Sequence, residues 1–78
     1  MDIIVYSTPA CSYCYQLKEF LRSQGIEFEE IDVSRNQEAA RRIVEKTEQM
    51  GVPVTEIDGE FIVGFDLERL QKKLDIKI

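Results

Sequence analysis

The chain has 78 residues, of which 44% are apolar, and its 15 acidic and 10 basic side chains give a formal net charge of −5. That length predicts one small domain over residues 1–78, and no stretch approaches the roughly 18–20 apolar residues of a membrane span. The negative charge argues against nucleic acid and anionic membranes as partners and favours a partner with a basic docking face.

The first residues of the chain have the composition of a strand rather than of a secretion signal. Residues 2–6 are mostly apolar, as in a strand that is buried on both faces of a sheet. They lack the basic start and the small-residue cleavage site of a signal peptide. We therefore expect a cytoplasmic, reducing location, where a Cys-x-x-Cys pair is more often catalytic than structural. We also expect the protein to be a monomer.

A helix is predicted after this strand, over residues 12–24. Apolar side chains recur there at helical spacing, and Gly25 follows as a C-terminal stop. The inward-facing side chains are predicted to be Leu17, Phe20 and Leu21. A short polar turn therefore carries Cys11 and Cys14 from the end of a strand to the start of a helix.

The position of the two cysteines indicates redox chemistry. The first turn of a helix has unpaired backbone N–H groups and a partial positive charge, both of which stabilise a thiolate. We therefore expect the pKa of Cys11 to fall below that of a free thiol, into the range of about 3.5–7.5. Cys14 lies nearly one turn later on the same face, so its sulfur can reach back to Cys11. Cys11 is predicted to attack a disulfide and Cys14 to resolve the intermediate.

Three other interpretations of the cysteine pair remain open but are less favoured. A structural disulfide across two residues would close almost no loop and would add little stability. A zinc site normally needs four Cys or His ligands, and the sequence has two cysteines and no histidine, so a metal would need a second chain or an outside thiol. Two inert buried cysteines do not account for the strand–turn–helix context.

The second strand and the second helix follow. Residues 26–33 have the composition of a strand but poor apolar alternation, so we expect a bend or an edge position. Ser34 and Gln37 form an S-x-x-Q capping box for a helix over residues 35–48. The predicted inward stripe of this helix is Ala40, Ile43, Val44 and Thr47, and a Glu38–Arg42 pair is predicted on its solvated face.

A hairpin and a third helix complete the chain. Residues 54–57 and 60–63 are predicted strands joined by Asp58-Gly59, a pair that favours a tight hairpin turn. Asp66 is placed to cap a last helix that turns Leu67, Leu70 and Leu74 inward. The order β-α-β-α-β-β-α predicts an α/β fold with a four-stranded mixed sheet, in which the hairpin is antiparallel to the first two strands.

Three motifs along this chain resemble those of the glutaredoxins. They are Cys11-Ser12-Tyr13-Cys14 after a strand, Gly51-Val52-Pro53 before a strand, and Val63-Gly64-Phe65-Asp66 after a hairpin. More narrowly, the chain is similar over its whole length to the short bacterial glutaredoxin-like redoxins, which include the NrdH type. This resemblance implies a thioredoxin fold, a dithiol–disulfide oxidoreductase activity and a disulfide-containing protein substrate.

The resemblance also implies roles for individual residues. Cys11 matches the nucleophile, Cys14 the resolving thiol and Tyr13 the aromatic residue beside the sulfur. Pro53 matches a cis proline that turns the Val52 backbone toward the cysteines, where it can pair with an incoming peptide or thiol. A trans proline that merely opens the third strand is the alternative.

The motif at residues 63–66 has two possible roles. Gly64 matches a glycine that lets backbone approach the ligand, Asp66 matches a residue near the glutathione amino group, and Phe65 belongs to the expected docking surface with Tyr13 and Val52. The alternative is an ordinary turn and helix cap.

The sequence departs from the pattern of glutathione-using glutaredoxins at several positions. Thr8 and Pro9 stand where those proteins often carry a lysine, and Lys18 is the nearest cation. Gly51 replaces a threonine and Val63-Gly64 a Gly-Gly pair, so glutathione loses polar and charged partners. We therefore expect no bound cofactor besides the redox-active Cys11–Cys14 disulfide, with glutathione as a weak reductant and a thioredoxin-reductase-type flavoprotein as the main one.

Two alternatives follow from the same family. One is an ordinary glutathione-dependent glutaredoxin. The other follows from Ser12, which stands where a stiffening proline is commoner. Some glutaredoxins with Ser or Gly at that position hold an iron–sulfur cluster between two chains with glutathione, so a dimeric cluster carrier is the second alternative.

Overall fold

The computed structural model describes residues 2–49 and 51–74, and its elements follow the predicted order β-α-β-α-β-β-α. This confirms the predicted thioredoxin fold. The elements are β1 (Ile3–Ser7), α1 (Ser12–Ser23), β2 (Glu29–Asp32), α2 (Gln37–Thr47), β3 (Val54–Ile57), β4 (Glu60–Val63) and α3 (Leu67–Leu74).

The four strands form one mixed sheet in the order β2-β1-β3-β4. β1 is parallel to β2 and antiparallel to β3, and β3 is antiparallel to β4. β4 therefore runs parallel to β1, so the prediction that the hairpin is antiparallel to the first two strands is right for β3 and wrong for β4. β2 lies at one edge, which confirms the expected edge position. It is shorter than the predicted residues 26–33, because Ile26 and Phe28 pack against the core of the sheet before the ladder begins at Glu29.

The two faces of the sheet have separate cores. On one face, Leu17 and Leu21 of α1 and Leu70 of α3 pack against side chains of β1, β3 and β4. On the other face, α2 packs Ala39 and Ile43 against the sheet. None of the helices within the described residues is long and apolar enough to cross a membrane.

Two inward assignments are wrong. Val44 of α2 is 37% exposed, because the stripe that meets the sheet runs through Ala39 and Ile43, rotated from the predicted one. Leu67 in the first turn of α3 is 40% exposed, so the buried side of this helix begins at Leu70.

Local turn chemistry matches the sequence at two glycines. Gly25 has φ of +70°, and its N–H bonds the Arg22 carbonyl while Ile26 N–H bonds the Leu21 carbonyl, which is the Schellman pattern at the end of α1. Asp58 and Gly59 both have positive φ, as a two-residue hairpin turn requires.

The cap of α2 differs from the prediction. Asn36, rather than Ser34, is the N-cap, and its side-chain oxygen accepts from Ala39 N–H at 3.0 Å. The N–H and hydroxyl of Ser34 instead donate to Asp32 Oδ1, at 2.9 and 2.5 Å. The capping-box interpretation is wrong because Ser34 is engaged in a turn before the helix begins.

The sheet also contains a buried polar network that the sequence did not indicate. Glu56 of β3 is 9% exposed, and its two oxygens accept from the Tyr6 hydroxyl at 2.6 Å and from Arg42 at 3.1 Å. The Arg42 guanidinium also lies over the Phe61 ring. Arg42 therefore contacts Glu56 rather than Glu38, and the predicted pair on the outer face of α2 is wrong.

Candidate active site

Cys11 lies at the junction of β1 and α1, where it is the N-cap residue of the helix. Its backbone is extended, with φ of −105° and ψ of 111°, and its sulfur accepts a hydrogen bond from Cys14 N–H at 3.1 Å. The sulfur thus satisfies one of the unpaired N–H groups of the first turn, and a thiolate there is stabilised by that bond and by the helix dipole. This is the geometry that the sequence predicts for Cys11.

Cys14 has a different environment from Cys11, although both are unpaired thiols. Cys11 is partly exposed, whereas Cys14 is fully buried. Burial, followed by the hydrogen bond with Cys11, raises the pKa of Cys14 to about 11, against smaller opposing effects of the Thr8 backbone and the Lys18 charge. An incoming disulfide can therefore meet the sulfur of Cys11 but not that of Cys14.

The loop before β3 faces Cys11 from the opposite side. The Val52–Pro53 peptide bond is cis, so the cis prediction is confirmed and the trans alternative is wrong. Pro53 is buried, and the Val52 carbonyl lies 3.8 Å from Cys11 Sγ. The Pro53 carbonyl accepts from Gly64 N–H at 2.8 Å, which ties this loop to the end of β4.

The motif at residues 63–66 forms a turn and a helix cap. Gly64 has φ of +79°, a conformation that favours glycine, while a Cβ there would meet nothing within 4 Å. Asp66 caps α3, because its carboxylate accepts from Arg69 N–H at 3.1 Å. Phe65 is half-buried against Phe20, with ring centroids 6.1 Å apart. The turn-and-cap interpretation is confirmed, and a ligand-binding role for these residues stays a prediction.

Aromatic side chains are exposed around the cysteine motif. Tyr13 and Tyr15 are each 62% exposed in the first turns of α1. The sequence singled out Tyr13 but not Tyr15. Tyr15 lies on the wall of a cavity of about 270 Å³ beside Cys11, and the other lining residues are Ser7, Thr8, Pro9, Lys18, Glu30 and Asp32.

Most of the polar residues in that cavity were not identified from the sequence. Tyr15 follows Cys11 at position i+4, a helical spacing that could have indicated it, whereas Lys18 at position i+7 was already named as the nearest cation. Glu30 and Asp32 come from β2, where the parallel register places Glu30 opposite Val5. Lys18 forms an ion pair with Glu30, so the nearest cation to the cysteines already has a carboxylate partner.

A second, apolar groove lies on the other side of Thr8. It encloses about 170 Å³, and its lining residues are Thr8, Val33, Ser34, Ala40, Ile43, Val44, Gly51 and Val52. Val52 and Thr8 both lie next to Cys11 in this arrangement, so the groove continues the surface around the sulfur. Among residues 2–49 and 51–74, no group of three or more His, Cys, Asp or Glu side chains is placed to hold a metal ion.

Comparison with known proteins assigns the arrangement to a family. The sequence profile described as Glutaredoxin matches residues 3–62, which include both cysteines, the cis-proline loop and all of the four strands except Val63, the last residue of β4. The chain belongs to the glutaredoxin family. It is accordingly a thiol-disulfide oxidoreductase.

Three relatives of this glutaredoxin cover nearly its whole length. A glutaredoxin-like 8.6 kDa protein in the rubredoxin operon of Clostridium pasteurianum is 37% identical over 73 residues, which are 94% of this chain and 97% of that protein. A mutant of the thioredoxin-like protein BC3987 is 37% identical and superposes with a TM-score of 0.90, covering 97% of both chains. NrdH-redoxin from Escherichia coli is 26% identical with a TM-score of 0.83, covering 92% of this chain and 93% of its own.

Proposed function

We propose that this glutaredoxin reduces protein disulfides by a dithiol mechanism and is itself reduced by a thioredoxin-reductase-type flavoprotein. The observation that carries the proposal is the asymmetry of the cysteine pair. The partly exposed Cys11 sulfur is the helix N-cap and bonds Cys14 N–H, whereas the Cys14 thiol is fully buried. One thiol is thus placed to attack and the other is protected until an intermediate has formed.

The chemical steps follow from that asymmetry. The Cys11 thiolate attacks one sulfur of the substrate disulfide, forms a mixed disulfide and expels the other substrate sulfur as a thiolate. Cys14 then loses its proton to a base in the solvent and attacks Cys11 Sγ. The Cys11–Cys14 disulfide forms, the bond to the substrate breaks, and the reduced substrate leaves with the electron pair.

The position of the cis-proline loop beside Cys11 supports a role for this loop in holding the substrate. The Val52 carbonyl lies 3.8 Å from the sulfur that would be bonded to the substrate, and the apolar groove continues from it. An extended peptide on either side of the substrate cysteine can pair with the Val52 backbone and place a side chain in the groove. We propose Tyr13, Val52 and Pro53 as substrate-contacting residues, with Gly64, Phe65 and Asp66 supporting them.

The charges near the site argue for a protein reductant. Lys18 is paired with Glu30, so a glutathione carboxylate would have to compete with a carboxylate of the protein itself. Val63, which replaces a glycine of the glutathione-using pattern, is 37% exposed at the end of β4. The similar NrdH-redoxin is described as a glutaredoxin-like protein with a thioredoxin-like activity profile.

The test compares two reductants of the oxidised protein. Reduction by thioredoxin reductase with NADPH is expected to be faster than reduction by physiological glutathione with glutathione reductase. The double variant Gly51→Thr/Val63→Gly restores two residues of the glutathione-using pattern, so its glutathione-linked turnover should be higher than that of the unmodified protein. Tight glutathione binding by the unmodified protein would contradict the choice of reductant. Visible sulfur-to-iron absorption in freshly isolated protein would instead indicate the cluster-carrier alternative.

A further inference from the structure

The resolving step poses a problem that the cysteine pair alone does not solve. Cys14 is fully buried and its pKa is raised to about 11. Burial, the largest cause of this rise, remains in the mixed disulfide, so Cys14 is mostly a protonated thiol at neutral pH. A thiolate has to form for Cys14 to attack, so a nearby positive charge would accelerate this step.

Lys18 is placed to supply that charge. It follows Cys14 by four residues on α1, which puts the two side chains on one face of the helix. The Lys18 side chain is only 18% exposed, whereas Lys72 on α3 is 77% exposed. Lys18 is therefore held against the protein, in the wall of the cavity beside Cys11, rather than extended into solvent.

Glu30 holds Lys18 in this position. The ammonium of Lys18 donates to Glu30 Oε2, and the buried Ser7 hydroxyl donates to the same oxygen at 2.9 Å. These contacts connect α1 to both β2 and β1. The Lys18 hydrogen bond is also the main reason that the pKa of Glu30 is lowered, so Glu30 is a carboxylate at neutral pH and a poor proton acceptor.

We propose that Lys18 is a positioning residue for the resolving step: held by Glu30, its ammonium stabilises the negative charge that forms on Cys14 Sγ before the attack on Cys11. The inference rests on the dithiol mechanism proposed above and deepens it. The proton of Cys14 goes to a base in the solvent, while Lys18 keeps all of its protons. The charge of Lys18 lowers the pKa of Cys14, opposite in direction to burial.

Other titratable groups surround the pair and belong to the same electrostatic environment. Cys11 and Tyr15 of α1 line the cavity with Lys18, and Asp32 of β2 lines it beside Glu30. The pKa of Asp32 is lowered mainly by the hydrogen bond from Ser34, and the charge of Lys18 lowers it by a smaller amount. Arg22, one turn after Lys18, contributes a smaller effect on Glu30 and is itself paired with Glu19.

The test uses the reduced full-length protein and an aromatic disulfide that releases coloured nitrothiobenzoate. Attack by Cys11 releases the first equivalent in a bimolecular phase. Attack by Cys14 on the resulting mixed disulfide releases the second equivalent in a unimolecular phase. The rate of the second phase is measured over a range of pH in the wild type, in Lys18→Met, in Lys18→Arg and in the control Lys72→Met, which removes the same charge from an exposed position.

The expected signature is a second phase that slows when the charge of Lys18 is removed and recovers when the charge is restored. Removal of the charge raises the pKa of Cys14, since Lys18 is one of the groups that lower it. A rise of one unit cuts the thiolate fraction about tenfold but raises its nucleophilicity about threefold, so the second phase of Lys18→Met should be about threefold slower near neutral pH. The rates of both proteins should rise in parallel with pH, because the pKa of Cys14 lies above the pH range of the assay in each of them. Lys18→Arg should lie near the wild type, and Lys72→Met should coincide with it.

The outcomes separate this inference from the proposed function. If the wild type releases no second equivalent, the dithiol mechanism itself is wrong. If the wild type shows both phases but Lys18→Met is unchanged, or Lys18→Arg is as slow as Lys18→Met, the charge of Lys18 does not act on Cys14 and the inference is overturned. Should Lys18→Met fail to fold, Lys18→Gln undergoes the same measurement and is judged by the same comparison with Lys18→Arg.

Discussion

Burial of Cys14 makes a quantitative prediction about which thiol reacts with an alkylating reagent. Its pKa is raised from 9.0 to about 11, so its thiolate fraction at neutral pH should be about a hundredfold below that of an ordinary cysteine. Cys11 is partly exposed and bonds a helix N–H through its sulfur. We therefore expect iodoacetamide to modify Cys11 first and almost alone near pH 7.

The perturbation that isolates the buried thiol is Cys11→Ser. Part of the pKa shift of Cys14 comes from its hydrogen bond with Cys11 and is reduced in this variant, but burial is the largest cause and stays. Alkylation of Cys14 in Cys11→Ser should thus be at least about tenfold slower than that of an exposed thiol at pH 7. It should also rise about tenfold per pH unit until the pKa is approached.

The assay is a time course of alkylation read by mass spectrometry, with Cys14→Ser as the matched variant that retains Cys11. Comparable rates for the two single variants at pH 7 would refute the asymmetry on which the assigned roles depend. The same variants test the roles directly, since Cys14→Ser should accumulate a mixed disulfide with substrate whereas Cys11→Ser should form none.

Three further predictions concern stability. Tyr6→Phe removes the buried donor to Glu56 Oε1 and should lower the free energy of unfolding by about 1–3 kcal/mol in urea titrations; an unchanged value would mean that the bond adds no net stability. Asp66→Ala removes the α3 cap and should cost about 0.5–2 kcal/mol by the same measurement, while Asp66→Asn, which can still accept, should cost less. The pKa of Glu30 is lowered mainly by Lys18, so its stabilisation is complete above the ordinary value of 4.5 and is lost as the pH falls through the lowered pKa. Thermal unfolding of the wild type should therefore be more acid-sensitive below pH 4.5 than that of Glu30→Gln, and equal sensitivity would contradict this linkage.

The sequence alone determined the features that depend on a few neighbouring residues. The position of Cys11 at the start of α1, the stop at Gly25 and the turn at Asp58-Gly59 all follow from local sequence patterns, and the structure has each where it was predicted. The order of the elements and the edge position of β2 could likewise be predicted from composition and alternation. The cis form of Val52–Pro53 came from family resemblance rather than from local chemistry.

Only the tertiary structure decided which distant polar groups meet. The cap of α2 is a different, local case, in which Ser34 bonds the Asp32 carboxylate in the preceding turn and Asn36 caps the helix instead. Glu56 is buried because β3 places it beside Tyr6 and under Arg42, far from each in sequence.

The environment of Cys14 has the same origin. The parallel register of β1 and β2 brings Glu30 to Lys18, and the packed core excludes water from the Cys14 sulfur. Helical spacing shows that Cys14 and Lys18 share a face, but their desolvation and their partners exist only once the sheet has formed. The two cysteines and their roles could therefore be predicted from the sequence, whereas the burial of Cys14 could not.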